Sequence, residues 1–388
     1  MRVMTRAITV LALSSAAAFA PAAASAHSRS HHPWRDAGNV YVNDNTSTAN
    51  TVAAFQRRPD GSLQPLPGSP FATGGAGTGA GIGSQGSLQT AFDGRYVLAV
   101  DAGSNQISVL AVRRDGSLRP VPGGTVSSGG SQPVSVAVHD DLVYVANAGI
   151  GAGTTNYTGF VLGVDGVLHP LPGSTISLPD GSQPGDVLFN ATGSKLAATR
   201  VGTSLIDSFI VDRGGLLHAA PGAPYAAQGP GPFGSEFRPT DPGQLFVSNA
   251  HGGAGNGTVS AFRDARDGTL TSIGSSPFAD QQTAPCWVEI SHDGRFLFAV
   301  NTAQPSISSY AIDRDGTLTL LGSTPFRNPT GLGPVDARLS PDGNTLFVVD
   351  GGTSQVSAFR VHGGSLTELP SSPTALPAGA TPFGIVVS

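Results

Sequence analysis

Pro334-Val335-Asp336-Ala337-Arg338-Leu339-Ser340, then Pro341-Asp342-Gly343, then Leu346-Phe347-Val348-Val349, then Val356-Ser357-Ala358-Phe359-Arg360-Val361, then Gly363-Gly364 and Leu366-Thr367-Glu368-Leu369: read in this order, residues 334–369 spell four short strands joined by turns. A turn pair such as Asp-Gly between apolar runs signals a hairpin, because glycine tolerates the positive φ of the tight turn. The third strand alternates apolar and polar residues with the period of a pleated strand.

The same unit recurs outward from this stretch. Its turn and leucine appear as Asp60-Gly61-Ser62-Leu63, Asp115-Gly116-Ser117-Leu118 and Asp165-Gly166-Val167-Leu168. They continue as Gly214-Gly215-Leu216-Leu217, Asp267-Gly268-Thr269-Leu270, Asp315-Gly316-Thr317-Leu318 and Gly363-Gly364-Ser365-Leu366. The leucines recur about every 50 residues, a period that suits one four-stranded blade. Opening strands start at Gln85, Pro133, Pro184, Pro232, Pro285, Pro334 and Pro382. The first unit, from Val40, has only three strands, and the chain ends on a spare opening strand, Pro382-Phe383-Gly384-Ile385-Val386-Val387-Ser388. The expectation is an all-β, seven-bladed propeller whose last strand completes the first blade, since a linear array would leave an exposed edge. A pair of β-sandwiches is the other reading, and it needs neither seven similar units nor a complementing terminal strand.

Composition agrees with many short strands. Of 388 residues 53 are glycine and 30 proline, and only 12% are charged. Residues 1–26 read as a secretory leader: Arg2 and Arg6, an apolar run over 7–20, and Ala24-Ser25-Ala26 as an A-x-A site cleaved after Ala26. Residues 27–39 read as a disordered lead-in, and 40–388 as the propeller. The apolar run is shorter than a membrane span needs, so no span is expected in the mature chain. Loss of the leader takes the formal net charge from −5 to −7. With a single lysine, Lys195, and no basic patch, nucleic acid is not an expected partner. One cysteine, Cys286, permits no internal disulfide, and in its apolar strand it reads as a buried, inert thiol. A monomer is expected.

The loops after the second and fourth strands are long (residues 73–85, 147–157 and 249–257), and in a propeller both sets emerge on the face that holds the channel mouth. That face is the candidate site for a small-molecule or extended ligand. Two residues beyond the opening proline stand Asp186, Trp287 and Asp336, nearer the long-loop face. Four beyond stand Glu236, Glu289 and Arg338, expected at one height in the channel, with Arg338 neutralising Glu289 or Glu236 because an unpaired buried charge is costly. His251 is the one histidine on the long-loop face.

Other motifs read blandly. Gly77-Thr78-Gly79-Ala80-Gly81 mimics a phosphate loop but has no following helix, so it reads as a flexible loop. Asp313-Arg314-Asp315-Gly316 lacks the closing acidic residue of a calcium loop and reads as the repeat hairpin. No metal site and no cofactor are expected. His27, His31 and His32 lie in the lead-in, while His169 and His218 sit towards the outer strands. Asn45-Thr46-Ser47 and Asn156-Tyr157-Thr158 fit glycosylation sequons.

Tyr144-Val145-Ala146-Asn147, Ser340-Pro341-Asp342-Gly343, Asp293-Gly294-Arg295-Phe296-Leu297-Phe298 and Asp313-Arg314-Asp315-Gly316-Thr317-Leu318 resemble the repeats of the lactonase family of seven-bladed propellers, which includes bacterial 6-phosphogluconolactonase and fungal carboxymuconate cyclase. They also resemble the related YVTN surface repeats. The likeness spans about residues 40–388. It implies a site of His, Arg and Glu around the channel mouth. At the matching positions this chain has Gly185, Phe233-Gly234, Asn249-Ala250-His251, Trp287 and Thr302, so that only Asn249 and Asn301 keep the pattern. The resemblance therefore implies a divergent lactone or ester hydrolase using Glu289 or Asp336 as base, His251 as acid/base and Arg338 as oxyanion partner. The alternative is a non-catalytic binding propeller at the cell surface or envelope.

Overall fold

The computed structural model describes residues 38–327 and 333–388. The expected leader and nearly all of the lead-in lie outside these residues. Within them the regular elements are all strands apart from one 3-10 turn at Val201–Thr203. No helix among the described residues is long and apolar enough to cross a membrane.

Seven antiparallel sheets follow one another in chain order, each a blade of four strands from the channel outward. The inner strands of blades 2–6 are Leu88–Ala91, Pro133–His139, Pro184–Phe189, Pro232–Arg238 and Pro285–Ile290, and that of blade 7 is Pro334–Leu339. The inner strand of blade 1 is Ile385–Val387, from the other end of the chain. It pairs with Asn39–Asn43 in the register Val40↔Val387, Tyr41↔Val386 and Val42↔Ile385, so the ring closes as the repeat count requires. Gly384 has φ +90, and a Cβ there would run into Ser87 and Leu88 of the neighbouring blade. Only glycine fits that seam.

Second strands are apolar on both faces because blades stack face to face. Leu346, Phe347, Val348 and Val349 are all fully buried. The recurrent glycine hairpin also has a reason beyond its own turn. The hairpins of blades 2–6 accept polar side chains from the preceding blade. The Tyr41 hydroxyl donates to Gly116 O at 2.8 Å, Tyr96 to Val164 O at 2.9 Å and Tyr144 to Gly215 O at 2.9 Å. Lys195 Nζ bonds Asp264 Oδ1 at 2.8 Å. Arg238 Nη1 reaches Asp313 O at 2.8 Å and Gln244 Nε2 reaches Arg314 O at 3.1 Å. The calcium-like stretch at 313–316 is thus the hairpin of blade 6, clamped by blade 5.

Two of the sequence readings change. The segment 77–81 is pinned rather than flexible: Gly77 N donates to Thr46 O at 2.8 Å, Gly79 N to Asn45 O at 2.9 Å and Thr78 N to Asn45 Oδ1 at 2.9 Å. The sequon asparagines are consumed by the fold. Asn45 is buried with its amide on Ala80 O, and Asn156 Nδ2 donates to Gly129 O at 3.1 Å.

Candidate functional site

The opening prolines set the geometry of the channel. Proline brings no N–H to the ladder and begins a strand without loss. In blades 4–7 the register shifts just after it, as in Pro184↔Arg200 followed by Asp186↔Thr199. Beyond this bulge the strands are in step. Glu236 pairs with Phe246, Glu289 with Phe298 and Arg338 with Phe347. The three charges therefore stand at one height, as the spacing predicts.

A strap divides the channel above them. Residues 81–87, which lead into blade 2, run across the bore and bond to the far blades. Gln85 N donates to Gly185 O at 2.9 Å. Its side-chain Nε2 donates to Ser235 O at 3.0 Å, and its Oε1 accepts from Val288 N at 3.1 Å. Trp287 Nε1 donates to Ser84 O at 2.8 Å. The strap passes so close to blade 5 that a Cβ on Gly234 would strike Gln85 Oε1. Composition gave no sign of this crossing, since residues 73–87 are mostly small and lack strand periodicity.

Above the strap the long-loop mouth forms a groove of two lobes that share Gly81, Gly83 and Phe233. One lobe, of about 350 Å³, is bordered by Gln132, Gln183, Val201 and His251. The other, of about 450 Å³, is bordered by Cys286, Trp287, Thr302, Val335 and Phe383. Phe233 and Trp287 pack edge to face with centroids 5.3 Å apart, a favoured aromatic geometry. Cys286 is buried, and burial pushes its thiol up to about 12, so it stays protonated at neutral pH. His251 is exposed on the rim.

Below the strap lies an acidic belt. Asp186 accepts from Ser235 N at 2.9 Å, Ser235 Oγ at 2.7 Å and Ser135 Oγ at 3.3 Å. Glu289 Oε2 accepts from Arg338 Nη1 at 3.1 Å, and its Oε1 accepts from Leu339 N at 2.9 Å. Asp336 Oδ1 accepts from Ala337 N at 2.8 Å, but Oδ2 is buried without a partner among the described residues. Half-buried Glu236 has no hydrogen-bond partner among them. Burial pushes the carboxyls of Asp186 and Asp336 up to about 7. It drives Glu236 well above the carboxylate range, with the Glu289 charge adding to the shift. Burial works against the Arg338 cation, yet Glu289 and Glu236 outweigh it and hold the proton more tightly than usual. A chamber of about 160 Å³ beside Gln85, Gln89, Asp186, Glu236 and Arg338 extends towards the short-turn end, where Val138 and Phe189 stand near the ends of their strands.

The candidate residues thus fall into separate places. Trp287 and His251 border different lobes of the mouth. Glu289 and Arg338 sit beneath the strap and pair with each other. Asp186 also lies beneath the strap, away from the long-loop lobes where the spacing put it, and Asp336 borders neither lobe among the described residues. The bulge and the crossing strap, both tertiary features, account for the difference. Asn249 and Asn301 are drawn into the scaffold: Asn249 Nδ2 bonds Thr258 and Ser260, and Asn301 Nδ2 bonds Ser306 and Ser308. They belong to a girdle of buried polar residues that ends every second strand: Asn43, Asp101, Asn147, Arg200, Asn249, Asn301 and Asp350. Sequence reasoning treated two of them as site residues. Their recurrence in all seven units was the missed signal of a structural role. Among the described residues, no three His, Cys, Asp or Glu side chains gather as metal ligands.

Comparison with known proteins bears out the resemblance. Residues 237–386 match the sequence model of the family described as lactonase, 7-bladed beta-propeller. A protein from Bacteroides uniformis, described as a putative 6-phosphogluconolactonase, is 22% identical with a TM-score of 0.71, over 91% of this chain and 100% of that one. The periplasmic gluconolactonase of Pseudomonas aeruginosa is 17% identical with a TM-score of 0.72, over 90% and 98%. These likenesses establish a shared fold. No curated protein matches the sequence.

Proposed function

We propose that this chain is an exported, lactonase-type propeller that binds a small, largely apolar ligand in the long-loop groove. The observation that carries the reading is the lobe of about 450 Å³ walled by Phe233, Trp287, Val335 and Phe383 and floored by the strap. A ligand burying about 200 Å² of apolar surface there gains about 5 kcal/mol. That gain alone corresponds to about 0.2 mM, and association costs bring the affinity to millimolar or weaker. The residues around the lobe offer shape and apolar surface and few charges. Export rests on the leader-like residues 1–26.

A second reading, hydrolysis of a lactone or ester, is favoured by the family match together with His251 on the rim. Hydrolysis needs a base for water and donors for the oxyanion. His251 is the candidate base. Glu289 and Arg338 satisfy each other on the far side of Gln85, which speaks against their assignment as base and oxyanion partner.

One experiment separates the readings. In a Trp34→Phe background, Trp287 is the sole fluorophore of its kind. Titration with γ-nonalactone and dihydrocoumarin should quench it saturably, while pH-stat assay of the same compounds shows no acid release above background. Turnover that falls by about 100-fold in His251→Ala, with quenching retained, would establish the hydrolase instead. Absence of both quenching and turnover sinks the mouth as a site for this ligand class.

A further inference from the structure

The two lobes of the mouth differ in chemistry. The larger is walled by Phe233, Trp287, Val335 and Phe383, whereas the smaller is bordered by Gln132, Gln183 and His251. No Lys, Arg, Asp or Glu borders either lobe among the described residues. A phosphate, a carboxylate or an ammonium would shed water there with no opposite charge to meet, which favours an uncharged occupant. Gly81, Gly83 and Phe233 border both lobes, so one molecule can lie across them.

The two glutamines stand at a costly position. In blades 3–6 the residue before the opening proline is left-handed, with φ +51 at Gln132, +47 at Gln183, +65 at Gly231 and +57 at Ala284. Glycine takes this conformation freely, as at Gly231, but a residue with a long side chain is strained there. Such strain collects where the side chain serves a ligand. The main chain of both glutamines is fixed. Gln132 N donates to Asn105 Oδ1 at 2.7 Å, Gln132 O accepts from Ala148 N at 2.9 Å, and Gln183 O accepts from Val201 N at 3.0 Å. Their carboxamides are free: neither has a hydrogen-bond partner among the described residues. Gln85, by contrast, spends its carboxamide on holding the strap. A carboxamide offers two N–H donors and a carbonyl acceptor. The uncharged group that answers donor and acceptor together is another amide, and a lactam presents both on one edge. An ester or lactone answers the donors only.

We infer that the mouth selects an uncharged amide, whose apolar body occupies the Trp287 lobe and whose amide edge lies in the smaller lobe against Gln132 and Gln183, the residues that determine specificity. The inference rests on the long-loop groove being the ligand site.

The test is calorimetric titration of the full chain at neutral pH with three probes of one carbon skeleton: the lactam dihydrocarbostyril, the lactone dihydrocoumarin and its ring-opened acid, melilotate. The lactam should bind saturably and about tenfold tighter than the lactone, and the acid should not bind. Gln132→Gly and Gln183→Gly, which the left-handed backbone accepts, should each lower the ratio of lactam to lactone affinity about threefold or more. Should either variant fail to fold, the lactam-against-lactone comparison in the unaltered chain still decides. Lactone binding without preference for the lactam, equal binding of the acid, or an unchanged ratio in both folded variants would overturn the inference and leave the groove standing as a site. No saturable binding of any probe would remove the groove as a site, and the inference with it.

Discussion

Residue by residue, the charge balance of the channel is set by burial more than by pairing. Asp186 and Asp336 in the channel, and Asp44 just after the strand Asn39–Asn43, are all pushed up to about 7 by desolvation, against about 3.9 in an unfolded chain. Between those values the folded state keeps protons that the unfolded state has lost. Stability from these groups is therefore complete below about pH 4 and is lost as pH rises through about 7. The unfolding free energy measured in urea should accordingly decline from pH 5 to pH 8. Asp336→Asn, neutral at every pH, should flatten the decline, by up to about 1.4 kcal/mol per pH unit for one group. An unchanged slope in that variant would show that Asp336 is not held protonated. The height shared by Glu236, Glu289 and Arg338 was legible in the sequence, because strand residues two apart face the same way. The partner choice, Arg338 with Glu289 and not Glu236, depends on distances that spacing does not contain.

Among the elements, the strap is the one whose crossing of the bore the sequence did not show. Its small residues look like slack, yet it is held by bonds to blades 4, 5 and 6. Gln85 is the residue on which this depends. Gln85→Ala would leave Ser235 O and Val288 N–H without their partners inside the channel. A buried polar group stripped of its hydrogen bond costs about 1–3 kcal/mol. We expect Gln85→Ala to lower the unfolding free energy by at least that much in urea titration. A change below about 0.5 kcal/mol would mean that the backbone bonds alone hold the strap. The hairpins show the converse case. Their Gly turns were read for local backbone reasons, and the structure adds the hydroxyl, ammonium and guanidinium groups that dock on them from the blade before.

Across the whole molecule, closure by Ile385–Val387 decides whether seven blades make a ring. Ile385 is fully buried and Val386 nearly so, and burying each such side chain is worth about 1.5–3 kcal/mol. Deleting residues 385–388 should remove this and expose the edge of Asn39–Asn43. The expected result is a broadened thermal transition several degrees lower, with more self-association in sedimentation. A truncated chain that unfolds as sharply and at the same temperature would show that the ring does not depend on its last strand. The same closure fixes the bore, and so places the apolar mouth and the acidic belt on opposite sides of one strap.

The repeat, the number of units and the incomplete first blade were present in the sequence by itself, because short-range turn chemistry and strand period are local and recur seven times. The mouth's apolar walls could also be read, from Phe233, Trp287 and Phe383 at the starts of inner strands. Only the tertiary structure decided that Glu289 and Arg338 stand apart from His251 and that the channel is two compartments. Those outcomes follow from contacts between residues up to 203 positions apart, which no local pattern encodes.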